Sequence, residues 1–127
     1  MLILFHGAGD TGVGFQGRIG LDSVADAAAF ITVYPDGCPI RPCLDTEPDE
    51  CKVFRSWEQA DVGLTQLLIA HLDDGLAIDS ERIFAAGLSM GAVITYDLAC
   101  RLSDQFAGVA TVAATLTGAL VATCGPS

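Results

Sequence analysis

Gly87-Leu88-Ser89-Met90-Gly91 is a G-x-S-x-G pentapeptide, and its residue types can generate a nucleophile. A serine hydroxyl attacks a carbonyl when it is exposed, when a base takes its proton, and when donors receive the charge that builds on the carbonyl oxygen. The flanking sequence addresses exposure. Arg82-Ile83-Phe84-Ala85-Ala86 reads as a short buried strand and Ala92 to Leu102 as a helix, so Ser89 is predicted at a sharp strand-to-helix turn. Such a turn strains the backbone and presents the hydroxyl beside backbone N–H groups. Gly87 and Gly91 let strand and helix pass where a Cβ would clash. A chain with 14 glycines can carry the pentapeptide by chance; the strand–turn–helix setting is what favours a nucleophile elbow.

A second run competes for attention. Gly7-Ala8-Gly9-Asp10-Thr11-Gly12 is a literal G-x-G-x-x-G after a strand, and Asp36 ends the next strand. That is the layout of a dinucleotide site, with pyrophosphate on a helix N-terminus and a carboxylate on the ribose. The third glycine should then open a helix. Here Gly14, Gly17 and Gly20 follow, so Gly7 to Gly20 is expected to be a loop with no helix starting at Gly12. A nucleotide-binding oxidoreductase module using Gly7, Gly9 and Gly12 is kept as the alternative, as is a non-catalytic α/β module in which Ser89 is structural.

The elements that must position these groups follow from periodicity. Leu2-Ile3-Leu4-Phe5 is an apolar run of the kind buried on both faces of a parallel sheet. Leu21 to Phe30 has Leu21, Val24, Ala25 and Ala28 at helical spacing. Ile31-Thr32-Val33-Tyr34 is a β-branched strand ended by Pro35-Asp36-Gly37. A long irregular stretch runs from Pro35 to Ser56; segments of that length are commonly functional or mobile. Trp57 to Asp73 is predicted helical, with Trp57, Leu64, Leu67, Leu68 and Leu72 on one side, and Phe106 to Val112 is predicted as a fourth strand. The order β-α-β-α-β-α-β gives an α/β domain with a central parallel sheet of about four strands.

Composition narrows the function classes. The 127 residues fit a single domain and 51% are hydrophobic, so the chain is globular. Six basic against 16 acidic residues leave a net charge of −10, which argues against nucleic acid and against anionic lipid. The run Asp45 to Glu50 reads as a solvated loop, since its spacing and Pro48 do not match a calcium loop. The uncharged stretch from Gln105 onward is rich in Ala, Thr and Gly and reads as a buried strand followed by a small-residue loop, not a membrane span. Met1 to Phe5 is too short for a signal core. Cys38, Cys43, Cys51, Cys100 and Cys124 suggest disulfides and an oxidising compartment. Irregular spacing without a nearby histidine speaks against zinc, and Cys100 is expected to be a small buried hydrophobe.

A family resemblance covers nearly the whole chain. Leu2 to Gly7 (LILFHG), Ala25 to Gly37 (ADAAAFITVYPDG), Asp61-Val62-Gly63, and Ile78 to Leu116 around the serine elbow resemble the polyhydroxybutyrate depolymerase and feruloyl esterase-like group of α/β-hydrolases. The resemblance implies a secreted serine esterase without a metal or other cofactor, acting on polyester or plant-cell-wall esters through an acyl-enzyme. It implies Ser89 as nucleophile, with the N–H of Met90 and one from Gly7 or Ala8 as the oxyanion hole.

The chain departs from the family after Ser89. The triad of α/β-hydrolases runs Ser, acid, His along the chain. Beyond Ser89 stand Asp97 and Asp104, in or at the end of the predicted helix, and no histidine. Of the two histidines, His71 suits the last turn of a helix, and His6 is expected to shape the oxyanion loop rather than act as base. The expectation is a partial α/β-hydrolase domain over residues 1–127, lacking N- and C-terminal parts, with little or no turnover and with sheet edges open to self-association.

Overall fold

The computed structural model describes residues 1–39, 55–116 and 118–124. Its centre is a four-stranded, all-parallel sheet in the order β2-β1-β5-β6. β1 is Leu2–Phe5, β2 Thr32–Val33, β5 Phe84–Leu88 and β6 Gly108–Val112. Leu2 lies opposite both Thr32 and Phe84, and Phe84 opposite Gly108, so the strands start level. A second, two-stranded antiparallel ladder joins β3 (Cys38–Pro39) to β4 (Arg55–Ser56). Cys43, Cys51 and the acidic run Asp45 to Glu50 lie outside the described residues.

The period of two along β1 and β5 decides where the core sits. Ile3, Phe5 and Ala85 face α3 (Ala60–Gly75) and α4 (Met90–Arg101), and with Trp57, Val62, Ile94 and Leu98 they form the main cluster. The opposite face of β5 and β6 is open, with Phe84 42% and Val112 57% exposed. No helix among the described residues is long and apolar enough to cross a membrane.

Several sequence expectations shift. The strand before Ser89 is Phe84–Leu88 rather than Arg82–Ala86, and its helix begins at Met90 rather than Ala92. The fourth strand begins at Gly108 rather than Phe106. α2 is Asp22–Ala28 and buries only Ala25. α3 buries Asp61, Val62, Thr65 and Ile69, while Leu64 and Leu67 point to solvent. The polar pair fits that face because the Asp61 carboxylate accepts the Glu58 N–H at 2.6 Å and the Thr65 hydroxyl donates to the Asp61 carbonyl at 2.8 Å. The first-turn acid reaches back to the N–H just before the helix, which leucine spacing cannot reveal. After β6 the small-residue stretch forms a helix, α5 (Gly118–Thr123), instead of a loop. Cys100 is not a lone buried thiol. It is bonded to Cys124, with Cα atoms 5.3 Å apart, and ties α4 to the residue following α5.

The largest correction concerns Gly7 to Gly20. A helix, α1 (Gly12–Ile19), does begin at Gly12. Glycines cost about 1 kcal/mol each in a helix interior, but both ends are well capped. The Thr11 hydroxyl accepts from Gly14 N–H at 3.0 Å, and Gly20, in the left-handed region, donates to the Gln16 carbonyl at 3.0 Å. Phe15, 2% exposed, anchors the helix to the core.

Candidate active site

Ser89 lies between β5 and α4 with φ 55° and ψ −116°. A non-glycine residue in that region is strained, by roughly 1–3 kcal/mol. The surroundings enforce it. Ser89 N–H donates to the Val112 carbonyl at 2.9 Å, which ties the turn to the end of β6. The Ser89 carbonyl accepts from Ala92 and Val93 at 2.9 and 3.2 Å, which starts α4. The residue is solvent-exposed. The two glycines act as the sequence suggests. A Cβ on Gly87 would run into the Gly91 carbonyl and stand 2.6 Å from Thr95 Oγ1, and one on Gly91 would overlap the Phe5 carbonyl. Met90 is the first residue of α4, so its N–H belongs to the turn whose donors have no intrahelical acceptor.

The loop after β1 sits against this elbow. A Cβ on Gly7 would lie 3.6 Å from Ser89 Cβ and 3.6 Å from the Leu88 carbonyl. Gly7 to Asp10 form a turn closed by Asp10 N–H to the Gly7 carbonyl at 3.2 Å, with Gly9 at φ 80°. Ala8, at the first corner, is exposed. The structure therefore brings Gly7 and Ala8 of one loop and Ser89 and Met90 of the elbow to the same end of the sheet.

His6 is fully buried, and both ring nitrogens are engaged. Nε2 accepts the Gly37 N–H at 3.0 Å, and Nδ1 stands 2.8 Å from the Gly7 carbonyl. A nitrogen that accepts from an amide carries no proton, and one that meets a carbonyl must carry it. The ring is therefore neutral imidazole with its proton on Nδ1. Its own carbonyl accepts the Trp57 indole N–H at 2.8 Å, and the two rings pack at 4.8 Å. His6 has no nitrogen left to serve Ser89. Trp57 is a core aromatic, 6% exposed. The indole bond to His6 had no sequence signal, since 51 residues separate the pair.

The remaining sequence candidates are not at the elbow. Asp97 faces Arg101 at 3.5 Å along α4, while Asp104 and His71 are exposed. Among the described residues, no carboxylate or imidazole is hydrogen-bonded to Ser89, and no group of three or more His, Cys, Asp or Glu could hold a metal. A cavity of about 440 Å³ lined by Leu2, Phe84, Ala29, Ile78 and Arg82 lies at the starting ends of β1 and β5, away from Ser89.

The helix at Gly12 restores the geometry that the dinucleotide pattern requires, yet the site is taken. Gly12 N–H donates to the Asp36 carboxylate at 2.8 Å. The helix N-terminus that would receive a pyrophosphate already holds an anion of the chain itself, and the carboxylate expected on a ribose is the one spent there.

No family model matches the chain. By sequence it is similar to NocK of Nocardia uniformis subsp. tsuyamanensis, named as an esterase, at 30% identity over 116 residues. It is also similar to poly(3-hydroxyalkanoate) depolymerase C of Paucimonas lemoignei, at 27% over 120 residues. These alignments cover 91% and 89% of the chain but only 33% and 27% of the relatives, so the chain spans about a third of their length. Acetyl xylan esterase from Aspergillus awamori superposes with a TM-score of 0.67 at 20% identity, over 85% of this chain and 39% of that one. A SOBER1 variant from Arabidopsis thaliana gives 0.62 at 18%, over 97% and 66%. The parallel sheet with its flanking helices has the α/β-hydrolase fold.

Proposed function

We propose that residues 1–127 are one α/β-hydrolase domain carrying the nucleophile and oxyanion side of a serine carboxylic-ester hydrolase. The observation that supports this most is the strained, exposed Ser89 at φ 55°, held between Val112 and the start of α4. The esterase and depolymerase relatives point the same way, toward polyester or plant-cell-wall esters as substrates. In this reading Ser89 Oγ adds to the ester carbonyl and its proton passes to a base. The N–H of Met90, with that of Gly7 or Ala8, holds the oxyanion. Collapse expels the alcohol with a proton and leaves an acyl-serine, which water then cleaves. Among the described residues no base stands beside Ser89, so these 127 residues alone are expected to acylate slowly and to turn over little.

Ser89→Gly tests the reading, because it removes the nucleophile and relieves the backbone. With p-nitrophenyl acetate at mildly alkaline pH, mass spectrometry should find acetyl on Ser89, and Ser89→Gly should lose it. The same variant should unfold later in urea, by about 1 kcal/mol. Acetylation spread over other residues, with none at Ser89, would refute the assignment. Rapid steady turnover that vanishes in the variant would instead refute the absence of a base.

The reading also sets the protein outside the cell, where a disulfide such as Cys100–Cys124 persists. A non-reducing digest of material recovered from the medium should yield the bridged peptide. Recovery only from cell lysate, with both thiols reduced, would count against it.

A further inference from the structure

We infer that Ala113, held by the Cys100–Cys124 disulfide, is a positioning residue for ester attack that keeps the Val112 carbonyl on the Ser89 N–H, a role that rests on Ser89 being the nucleophile. Ala113 follows β6 directly and has φ 58°, in the left-handed region. Alanine is disfavoured there because its Cβ crowds the following carbonyl. A residue stays in such a region only where its surroundings over-determine it. Its own side chain gives no such hold, since Ala113 is exposed.

The chain on either side of Ala113 supplies the hold. Ser89 N–H donates to the Val112 carbonyl at 2.9 Å, so the peptide joining Val112 to Ala113 lies against the elbow. Downstream, the chain passes through α5 to Cys124, which is bonded to Cys100 in the last turn of α4. Ser89 and Cys100 stand at opposite ends of α4, about 17 Å apart along its axis. A chain that leaves β6 beside Ser89 must therefore reverse and run back along α4. The described side chains of α5 anchor it weakly: Ala122 is exposed and Val121 is 56% exposed. The disulfide is the firm tie. Rotation about φ of Ala113 is the first freedom beyond the planar peptide that carries the Val112 carbonyl. Released from Cys100, Ala113 relaxes toward the β region and that plane swings off the Ser89 N–H. Ser89 Oγ and the Met90 N–H then lose their fixed frame, although neither residue has changed.

Substitution separates the tether from the turn. The acylation rate is read as the first-order burst of p-nitrophenolate from p-nitrophenyl acetate at alkaline pH. In Cys100→Ala/Cys124→Ala it should fall on the order of 10-fold. Adding Ala113→Gly or Ala113→Asn, which accept the left-handed region at little cost, should recover most of that loss. Ala113→Val, whose branched side chain disfavours the region, should slow the burst with the disulfide intact. Amide hydrogen exchange adds a readout that general destabilisation does not move selectively. In the double cysteine variant the Ser89 N–H should exchange on the order of 10-fold faster, while those of Ala85 and Gly87 in β5 keep their wild-type rates.

A burst rate indifferent to the loss of both cysteines would overturn the positioning role. So would a loss that neither Ala113→Gly nor Ala113→Asn recovers, or exchange that quickens equally at Ala85, Gly87 and Ser89, which would leave the disulfide a general stabiliser. A wild-type chain without acetyl on Ser89 would refute the nucleophile and with it this role in attack; the exchange rates would still report whether the disulfide holds the Ser89 N–H. If the double cysteine variant fails to fold, Ala113→Val in the oxidised chain decides, and an unchanged burst there overturns the proposal.

Discussion

Gly91→Ala is expected to cost the fold at least about 3 kcal/mol, because a side chain there collides with backbone rather than with a side chain that can move aside. The new methyl would overlap the Phe5 carbonyl and stand 2.6 Å from that of His6. Phe5 ends β1, where it pairs with Gly87 of β5, and the His6 carbonyl just beyond it is held by the Trp57 indole, so neither can retreat without breaking a backbone ladder or a buried hydrogen bond. Gly63→Ala, in the interior of α3 with nothing within 4 Å of the new Cβ, makes the control. It should stabilise by about 0.5–1 kcal/mol through helix propensity. Urea titrations of the two variants should move their midpoints in opposite directions. Equal midpoints would show that close approach is not what holds glycine at position 91. Loss of activity in a Gly91 variant would therefore report on packing before chemistry.

Trp57→Ala should be nearly as damaging, at about 3–5 kcal/mol. The indole packs edge-on against Phe5 at 5.0 Å, lies against His6, and is buried in the main cluster. Trp57→Phe separates packing from the hydrogen bond. It retains most of the apolar surface and leaves the buried His6 carbonyl without its indole donor, a loss of about 1–3 kcal/mol. A Trp57→Phe chain with an unchanged denaturation midpoint would show that the bond to His6 contributes nothing measurable.

The elbow and the sheet were legible in the sequence because both are local patterns. An apolar run such as Leu2–Phe5 and the pentapeptide around Ser89 carry their period or their turn within a few residues. α1 was not legible. Its three glycines contradict helix propensity, and its stability comes from caps at Thr11 and Gly20 and from a carboxylate 24 residues away. α3 was assigned the wrong face for a related reason. Its leucines at 64 and 67 are exposed, while Asp61 is buried through a capping bond that needs the position of Glu58. At the site, Ser89 and Gly7 were recognisable by type, but the partners that set their geometry are Gly37, Trp57 and Val112, each brought in from another strand end or helix start. Bonds of that range leave no mark on local composition.

The Asp36 carboxylate on Gly12 has a further consequence. It is a tethered competitor for its own helix terminus. A side chain delivered by the fold acts at an effective concentration in the millimolar range or above, so a free phosphate must outcompete a ligand that never diffuses away. An evolutionary or engineered passage from this loop to a nucleotide pocket would have to evict that ligand before any new contact could gain affinity. The pattern G-x-G-x-x-G persists here as a way of packing a helix, with the vacancy that made it useful elsewhere already filled from within.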